Sequence, residues 1–331
     1  MMPNERVLLA IETSCDETAA AVVGADFKVL SSVIASQIDL HAQWGGVVPN
    51  IASRQHVAAM NGVIRAALDI AAITAADIEA VAVTVGPGLP GSLSVGISAA
   101  KALALGWSKP IVAVNHLEGH LFSAELDNNL VEFPAMYLLV SGGHCMIIYA
   151  PERGKYELIG TTRDDSVGEA YDKVARELGF GYPGGPVLDR MAPNGQDRYA
   201  LPRPMLDRGY DFSFSGLKTA VYREIERGDA IIEDLVTSFV AACMDVLTTK
   251  LLRAIEEYRP LNVLVVGGVS ASPVLRERLL GNGIGNTKVV FPSLKYSTDN
   301  AAMIGAAGWW QLINKGASTD DFGMVSRMGL V

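Results

Sequence analysis

The chain has 331 residues, of which 50% are hydrophobic and 19% are charged, and its formal net charge is −9. This composition excludes a disordered chain, and the length favours two domains over one compact core. Because no uninterrupted apolar run approaches the roughly 18 residues that cross a bilayer, we expect a cytoplasmic protein that makes no membrane contact.

Strand and helix patterns alternate in the first half of the chain. Two apolar runs, 7–11 and 19–23, flank a polar turn and predict a hairpin of buried strands. The pattern then predicts a helix over 54–70, a short helix capped between Thr74 and Asp77, a strand over 80–85 and a helix over 92–107 opened by Ser92.

The second half repeats this organisation. Apolar runs at 136–140 and 145–149 flank a second polar turn, about 130 residues after the first hairpin. Further elements are predicted as helices near 168–179 and 231–258, a strand at 262–266, a helix from 273 and a last helix from about 299 to 313. A hairpin followed by alternating strands and helices in each half predicts a duplicated domain of mixed α/β layers.

A histidine pair is the clearest chemical signal. His116 and His120 lie four residues apart, so a helix would place both imidazoles on one face. Asp299 is far downstream and would complete a three-ligand metal site with open positions. The spacing alone is a modest signal, and two histidines with a carboxylate suit iron, zinc or manganese.

Other candidate sites lie in polar turns. Asp16 and Glu17 form a carboxylate pair at the tip of the first hairpin, which favours a metal or proton-transfer role. The turn at 141–143 and the strand, glycine turn and helix start around 267–273 favour contact with a phosphate or another ligand. For the loop at 86–92 a structural role is favoured, because its prolines remove N–H donors.

Several motifs together resemble one family. They are Ile-Glu-Thr-Ser-Cys-Asp-Glu-Thr at 11–18, Gly-Gly-Val-Val-Pro at 45–49, Val-Ser-Gly-Gly-His at 140–144, Tyr-Pro-Gly-Gly-Pro at 182–186, Phe-Ser-Phe-Ser-Gly-Leu-Lys-Thr at 212–219 and Gly-Gly-Val-Ser-Ala at 267–271. With the histidine pair, they resemble the tRNA N6-adenosine threonylcarbamoyltransferase family in order, from about residue 6 to about residue 327.

The resemblance implies a fold and a domain organisation. The fold is an α/β, duplicated actin/Hsp70/sugar-kinase-like (RNase H-like) arrangement of two domains around a central cleft. The first domain would comprise 1–133 and 301–331, with the last helix returning to it. The second, 134–300, would carry most substrate contacts.

The resemblance also implies a reaction and its residues. A threonylcarbamoyl group passes from threonylcarbamoyl-AMP to N6 of adenosine 37 in tRNAs that read codons beginning with A, giving t6A. His116, His120 and Asp299 would hold one divalent metal, which family resemblance suggests is iron, with zinc as an alternative, while Asp16 or Glu17 would act in catalysis. The substrate residues would be Leu139, Val140, Ser141, Gly142, Gly143, Asp172, Gly185, Asp189 and Ser272, where the family has Asn in place of Ser272.

Partners and alternatives complete these expectations. By resemblance the chain acts on tRNA and works with TsaB-like and TsaE-like proteins. The docking candidate is the helix at 51–71, with Ile51, Val57, Met60 and Ile64 on its expected exposed side. A metallopeptidase, a small-molecule kinase of the same superfamily and a non-catalytic Hsp70-like scaffold stay open as alternatives.

Overall fold

Two compact units make up the chain. The structure, a computed structural model, describes residues 6–127, 130–281 and 287–330. One unit consists of Met1–Leu130 with Pro292–Leu330, and the other of Val131–Phe291. The predicted domain boundaries differ from these units in two places, because 131–133 group with the second unit and 292–300 with the first.

Strands and helices alternate through the described residues. The strands are β1 (Val7–Glu12), β2 (Glu17–Gly24), β3 (Val29–Ser36), β4 (Ile78–Gly86), β5 (Ile111–Asn115), β6 (Ala135–Val140), β7 (Cys145–Glu152), β8 (Lys155–Thr161), β9 (Asn262–Val266) and β10 (Lys288–Val290). The α-helices are α1 (Ile38–Ala42), α2 (Pro49–Ala71), α3 (Pro90–Trp107), α4 (His116–Ser123), α5 (Val167–Glu177), α6 (Gly185–Met191), α7 (Ser215–Arg227), α8 (Ile232–Tyr258), α9 (Pro273–Gly281) and α10 (Ala301–Lys315).

Each unit contains a five-stranded sheet with the same topology. The first sheet has the order β3-β2-β1-β4-β5, and the second has the order β8-β7-β6-β9-β10. In both, the first three strands in chain order are antiparallel neighbours, and the remaining two continue the sheet in parallel. The predicted duplication is therefore confirmed.

Helices cover both faces of the first sheet. Along β1, Val7, Leu9 and Ile11 face a core shared with α2 and α3. Leu8 and Ala10 face the opposite core, which α10 fills. Since successive strand residues point to opposite faces, burial on both faces makes the whole of β1 apolar up to Glu12.

Two predicted helix starts in the first unit are wrong. Residues 74–77 form a turn before β4, because the Asp77 carboxylate accepts hydrogen bonds from the Thr74 N–H and hydroxyl. Helix α3 begins at Pro90, two residues before the predicted cap, so Ser92 lies inside the helix and is buried. Proline at the first helical position is itself a start signal.

The predicted docking side of α2 is corrected by its burial. Met60 and Ile64 are only 5% and 8% exposed and belong to the first unit's core. Val57 is 64% exposed. Met60 and Ile64, which lie four residues apart on one face of α2, therefore face the core of the first unit and not a partner.

One described helix, α8, is long and apolar enough to cross a bilayer. Most of that apolar stretch is buried within the second unit, where Phe239 and Leu247 belong to the hydrophobic core. Its composition is therefore that of a core helix.

Candidate functional site

Helix α4 carries both histidines, and its start is fixed by a side-chain cap. The Asn115 side-chain oxygen accepts hydrogen bonds from the N–H groups of Leu117 and Glu118. Helix α10 starts in the same way, because Asn300 accepts from the Met303 N–H. Asp299 directly precedes this second cap, so the two capped helix ends define the positions of all three predicted metal ligands.

The close packing of α4 on α10 brings these helix ends together. Gly119 lies against Ile304, and a Cβ added to this glycine would lie 2.6 Å from Ile304 Cδ1. A larger residue at position 119 would require the end of the Ile304 side chain to move. The glycine between the two histidines therefore leaves room for Ile304 in this contact.

Three side chains converge between these helices. The imidazole centroids of His116 and His120 lie 4.7 Å apart. Asp299 Oδ1 lies 3.1 Å from His120 Nε2 and 3.6 Å from His116 Nε2. Because ligand atoms bound to one metal at about 2.0–2.2 Å lie about 3–3.5 Å apart, this spacing suits a metal ion.

The surroundings of His120 provide an independent test of that fit. His120 is fully buried, and neither ring nitrogen forms a hydrogen bond with a described residue. Its approach to Asp299 lies outside hydrogen-bond geometry, although the two atoms are close. A buried polar group without a hydrogen bond is costly, whereas a metal ion would use this nitrogen as a ligand.

His116 is held by carboxylates on both sides. Its Nδ1 lies 3.0 Å from Oε2 of the fully buried Glu12, and its Nε2 faces Asp299. Burial by itself would lower the pKa of His116, but Asp299 and Glu12 outweigh it and raise the pKa to about 9. A metal therefore competes with a proton for Nε2 in this chain.

Asp16 and Glu17 lie between β1 and β2, with Glu17 as the first residue of β2. Burial raises the pKa of Asp16 above its usual range. Burial also raises the pKa of Glu17 to about 7, and the negative charges of Asp16 and Asp299 contribute to the rise. Glu17 thus has the properties of a general base that works near neutral pH.

The second unit presents the predicted glycine turn between β6 and β7. The Ser141 hydroxyl accepts hydrogen bonds from the N–H groups of Gly143 and His144, which closes the turn. Ser166, the cap of α5, donates from its hydroxyl to the Gly142 carbonyl. The turn is consequently anchored to the start of α5.

Three predicted substrate positions are glycines that the local packing does not explain. A Cβ added to Gly142, Gly143 or Gly185 would meet nothing within 4 Å, and none of the three has a positive φ. By contrast, Gly267 has φ of +90° and its added Cβ would clash with the Val140 carbonyl. The first three glycines therefore leave space that a ligand can enter.

Leu139 and Val140, two further predicted substrate positions, lie at the end of β6. Both residues are fully buried, and Leu139 lies in a strand that is paired with β7 on one side and β9 on the other. Their side chains lie in the interior, and the substrate contact at these two positions stays a prediction. These two residues support the turn at 141–143, and the turn itself carries the accessible groups.

The remaining substrate candidates are Asp172 in α5, Gly185 and Asp189 in α6, and Ser272 directly before α9. Asp172 accepts a hydrogen bond from the Gly184 N–H, 2.7 Å away, next to Gly185. Burial raises the pKa of Asp189, while the Ser272 and Tyr171 hydroxyls oppose the rise. In the described ranges Asp189 Oδ1 and the Tyr171 hydroxyl are buried without a hydrogen bond of normal geometry.

Ser272 has a structural task of its own. Its hydroxyl accepts a hydrogen bond from the Leu275 N–H at 3.3 Å and caps α9. The expected cap is therefore present, and the hydroxyl also faces Asp189. The structure thus brings Asp189 and Ser272 together, and their contact with a substrate stays a prediction.

Glu12 and Ser14 are site residues that the sequence interpretation did not select. Ser14 Oγ lies 3.1 Å from His116 Nδ1, and Glu12 contacts the same nitrogen. One signal was available for Glu12, because it follows five apolar residues in β1 and is the single charged residue of that strand. A carboxylate in such a position requires buried partners.

Comparisons with known proteins identify the family. The family model TsaD, described as tRNA N6-adenosine threonylcarbamoyltransferase, matches residues 28–306. The chain belongs to this family. The protein of that name from Clostridium perfringens (strain SM101 / Type A) is 45% identical over 335 residues, which cover 99% of this chain and 96% of the relative. The one from Synechococcus sp. (strain JA-3-3Ab) is 50% identical over 337 residues, which cover 98% and 92%.

A solved structure shares the fold of this family member at low identity. Component A of the Acidaminococcus fermentans (R)-2-hydroxyglutaryl-CoA dehydratase has a TM-score of 0.57 and 12% identity, and the match covers 93% of this chain and 100% of that one. This likeness concerns the fold alone. Together with the two equivalent sheets, it confirms the duplicated actin/Hsp70/sugar-kinase class.

Proposed function

We propose that the chain transfers the threonylcarbamoyl group of threonylcarbamoyl-AMP to N6 of adenosine 37 in tRNAs that read codons beginning with A, giving t6A. Membership of the family supports this reaction. The observation in the structure that carries the proposal is the buried cluster of His116, His120 and Asp299. The family match does not favour the peptidase, kinase or scaffold alternatives.

The reaction requires a weak nucleophile to be activated. The N6 amine attacks the carbamoyl carbon, the bond from that carbon to the AMP oxygen breaks, and AMP leaves with the electron pair. The amine must also lose a proton, because its nitrogen becomes an amide-like nitrogen in the product. Orientation, charge stabilisation and a base are therefore the three requirements.

The cluster in the first unit would hold a divalent metal through His116 Nε2, His120 and Asp299. Such an ion polarises phosphate or carbamoyl oxygens and stabilises negative charge that develops on them. The family resemblance favours iron, and the donor set also suits zinc.

Side chains of the chain itself supply the remaining requirements. Glu17 accepts the amine proton, a role that its pKa of about 7 supports because the carboxylate is present at neutral pH and binds a proton readily. Asp16 has a raised pKa beside it and shapes the charge of the turn. Neither group forms a covalent intermediate.

In the second unit, the turn at 141–143 would bind phosphate oxygens through its backbone N–H groups. Gly142 and Gly143 leave space for that approach. Asp172 and Asp189 would accept hydrogen bonds from ribose hydroxyls, with Gly185 at the surface of the same region and Ser272 beside Asp189. A cytoplasmic location and cooperation with TsaB-like and TsaE-like proteins belong to the proposal.

A single set of variants tests the metal and the reaction together. We expect the protein to contain about one transition metal per chain, and His120→Ala to remove it and to lower t6A formation by about 10²-fold or more. The measurements are elemental analysis, mass analysis of tRNA nucleosides and detection of AMP, with threonylcarbamoyl-AMP, tRNA and the partner proteins supplied.

His56→Ala is the matched control. His56 is also a buried histidine of the first unit, but its ring nitrogens already contact Thr18 Oγ1 and the Cys15 carbonyl. This variant should keep the metal. Equal metal content in His120→Ala and the wild type, with both folded, would contradict the proposed metal site.

A further inference from the structure

Glu12 is a buried carboxylate outside the set of residues that the proposed reaction uses. It lies at the carboxyl end of β1 and is fully buried. Burying an ionised carboxylate is expensive unless every lone pair that points into the protein finds a donor. The hydrogen-bond partners of Glu12 therefore indicate the role of this carboxylate.

Both carboxylate oxygens of Glu12 accept hydrogen bonds. Oε1 accepts from the Ser14 N–H. Oε2 accepts from the Thr84 hydroxyl at 2.7 Å and lies 3.0 Å from His116 Nδ1. Each oxygen of Glu12 therefore has a donor directed at it, and the carboxylate is placed as an acceptor on both sides.

A hydrogen-bond acceptor beside Nδ1 determines which nitrogen of the neutral imidazole carries the hydrogen. Because Glu12 accepts hydrogen bonds at both oxygens, the hydrogen that joins it to His116 lies on Nδ1. In the neutral imidazole, Nε2 then has the available lone pair, and it is the nitrogen that faces Asp299. The Ser14 hydroxyl lies 3.1 Å from Nδ1, but a hydroxyl donates or accepts and does not fix the ring by itself.

We propose that Glu12 is a positioning residue that keeps the proton of His116 on Nδ1 and directs Nε2 to the metal. This inference rests on the proposed metal site and adds a residue to it. Carboxylates that hydrogen-bond a ligating histidine fix its tautomer and its orientation. Here Thr84 and the Ser14 backbone in turn fix the carboxylate.

The turn that holds Ser14 is itself tightly supported. The Leu89 N–H donates to the Ser14 carbonyl at 2.8 Å, and a Cβ added to Gly88 would clash with Ser14. The loop at 86–92, for which the sequence favoured a structural role, therefore holds the Ser14 N–H against Glu12. Loop, carboxylate and histidine form one continuous chain of contacts.

Glu12→Gln is the informative variant, because it preserves size and removes the second acceptor oxygen. If the amide nitrogen takes the place of Oε1, it meets the Ser14 N–H, and two donors face each other. If it takes the place of Oε2, it donates to Nδ1 and moves the imidazole proton to Nε2, where it blocks the metal. Either orientation disturbs the arrangement that the carboxylate satisfies.

Zinc(II) affinity, measured by competition with a chromophoric chelator, is the first readout. We expect Glu12→Gln to weaken zinc binding by about 10–100-fold, the usual effect of losing a partner of a ligating histidine. In a His116→Ala background the same substitution should have almost no further effect, because Glu12 acts through that ring. Thr84→Val is the control, since it removes a donor to Glu12 but leaves the carboxylate in place, and its loss should be much smaller.

Nitrogen NMR of zinc-loaded wild-type protein is the second readout and needs no variant to fold. His116 should show a proton bonded to Nδ1 and zinc on Nε2. Zinc on Nδ1, or a Glu12→Gln protein with wild-type zinc affinity, would overturn the role of Glu12 while leaving the metal site intact. Absence of zinc binding by the wild type would instead overturn the metal site, and the role of Glu12 with it.

Discussion

Two glutamates a few residues apart show how environment assigns different chemistry to the same side chain. Glu12 is surrounded by donors, which lower its pKa and keep it charged. Glu17 receives one hydrogen bond, from the Ser36 hydroxyl, and its buried Oε2 has no partner among the described residues. Glu12 is therefore suited to holding a histidine, and Glu17 to exchanging a proton near neutral pH.

The pH dependence of the reaction tests the role of Glu17. As a base it must be ionised, so the rate should fall as the pH drops through about 7, the pKa that burial gives it. We expect Glu17→Gln to lower the rate by about 10²–10⁴-fold and to remove this acid limb. Glu79→Gln is the control, because hydrogen bonding to Arg6 lowers the pKa of Glu79 and places its titration well below that of Glu17.

Folding stability provides a second test of the same pKa. The folded chain raises the pKa of Glu17 from its ordinary value of 4.5 to about 7, so the folded state binds more protons than the unfolded state in this interval. Glu17 therefore contributes less stability as the pH rises from 4.5 to 7. As the pH rises over this range, the unfolding free energy of the wild type should fall relative to that of Glu17→Gln. A difference that does not change with pH would contradict the raised pKa.

Some strands and helices of this chain are easier to predict from the sequence than others. The buried strands β1, β2, β6 and β7 are apolar runs beside polar turns, and α8 is a long apolar helix, so pattern alone locates them. Helix α4 has all eight of its residues buried and no solvent-exposed face, so only the histidine spacing indicated it. The edge strands β3 and β8 carry many exposed polar residues, which weakens their signal.

The contact between α4 and α10 can be tested at Gly119. In an open helical position, alanine is more favourable than glycine by about 1 kcal/mol. At Gly119 the added methyl group meets Ile304, and we expect Gly119→Ala to reduce the unfolding free energy by about 1–3 kcal/mol. Urea denaturation measures this change, and zinc affinity should fall with it because both metal-bearing helix ends move.

Gly62→Ala is the matched control, since Gly62 lies inside α2 and its added Cβ would meet nothing within 4 Å. This variant should be neutral or more stable. Ile304→Val removes the atom that the new methyl group would meet and should restore part of the stability of Gly119→Ala. If the unfolding free energies lost in Gly119→Ala and Ile304→Val simply add in the double variant, the new methyl group does not clash with Ile304.

At the scale of the whole molecule, the sequence predicted the duplicated fold and the three candidate metal ligands, but not how those ligands are supported. Local spacing does not join Asp299 to the histidines, and the family resemblance supplied that support, because α4 and α10 are separated by more than half of the chain. The roles of Glu12 and Gly119 depend on atoms brought together by that folding. The prediction for Met60 and Ile64 is wrong because a helical pattern of apolar residues does not show whether that face packs against the protein's own core or is exposed to a partner. In the structure both residues belong to the first unit's core.

The distribution of charge supports dependence on partners. The stretch at 198–227 has six lysines and arginines against four acidic residues and is the most basic candidate surface for tRNA. Several of these cations form ion pairs, because Arg198 pairs with Asp234 and Lys218 with Asp165. Arg203 contacts Asp245 in the same way. These cations are therefore not available to phosphates without breaking an ion pair, and the chain as a whole carries a net charge of −9.

We accordingly expect the isolated chain to bind tRNA weakly and to form little t6A, and TsaB-like and TsaE-like partners to restore formation. Nucleoside mass analysis with and without the partners measures this, and full turnover by the chain alone would contradict it. The docking face is tested with Val57→Asp, because this exposed position accepts a charge without loss of core packing, whereas Met60→Asp would place a carboxylate in the core and unfold the first unit. Undiminished partner binding by folded Val57→Asp would exclude this face of α2 from the interface.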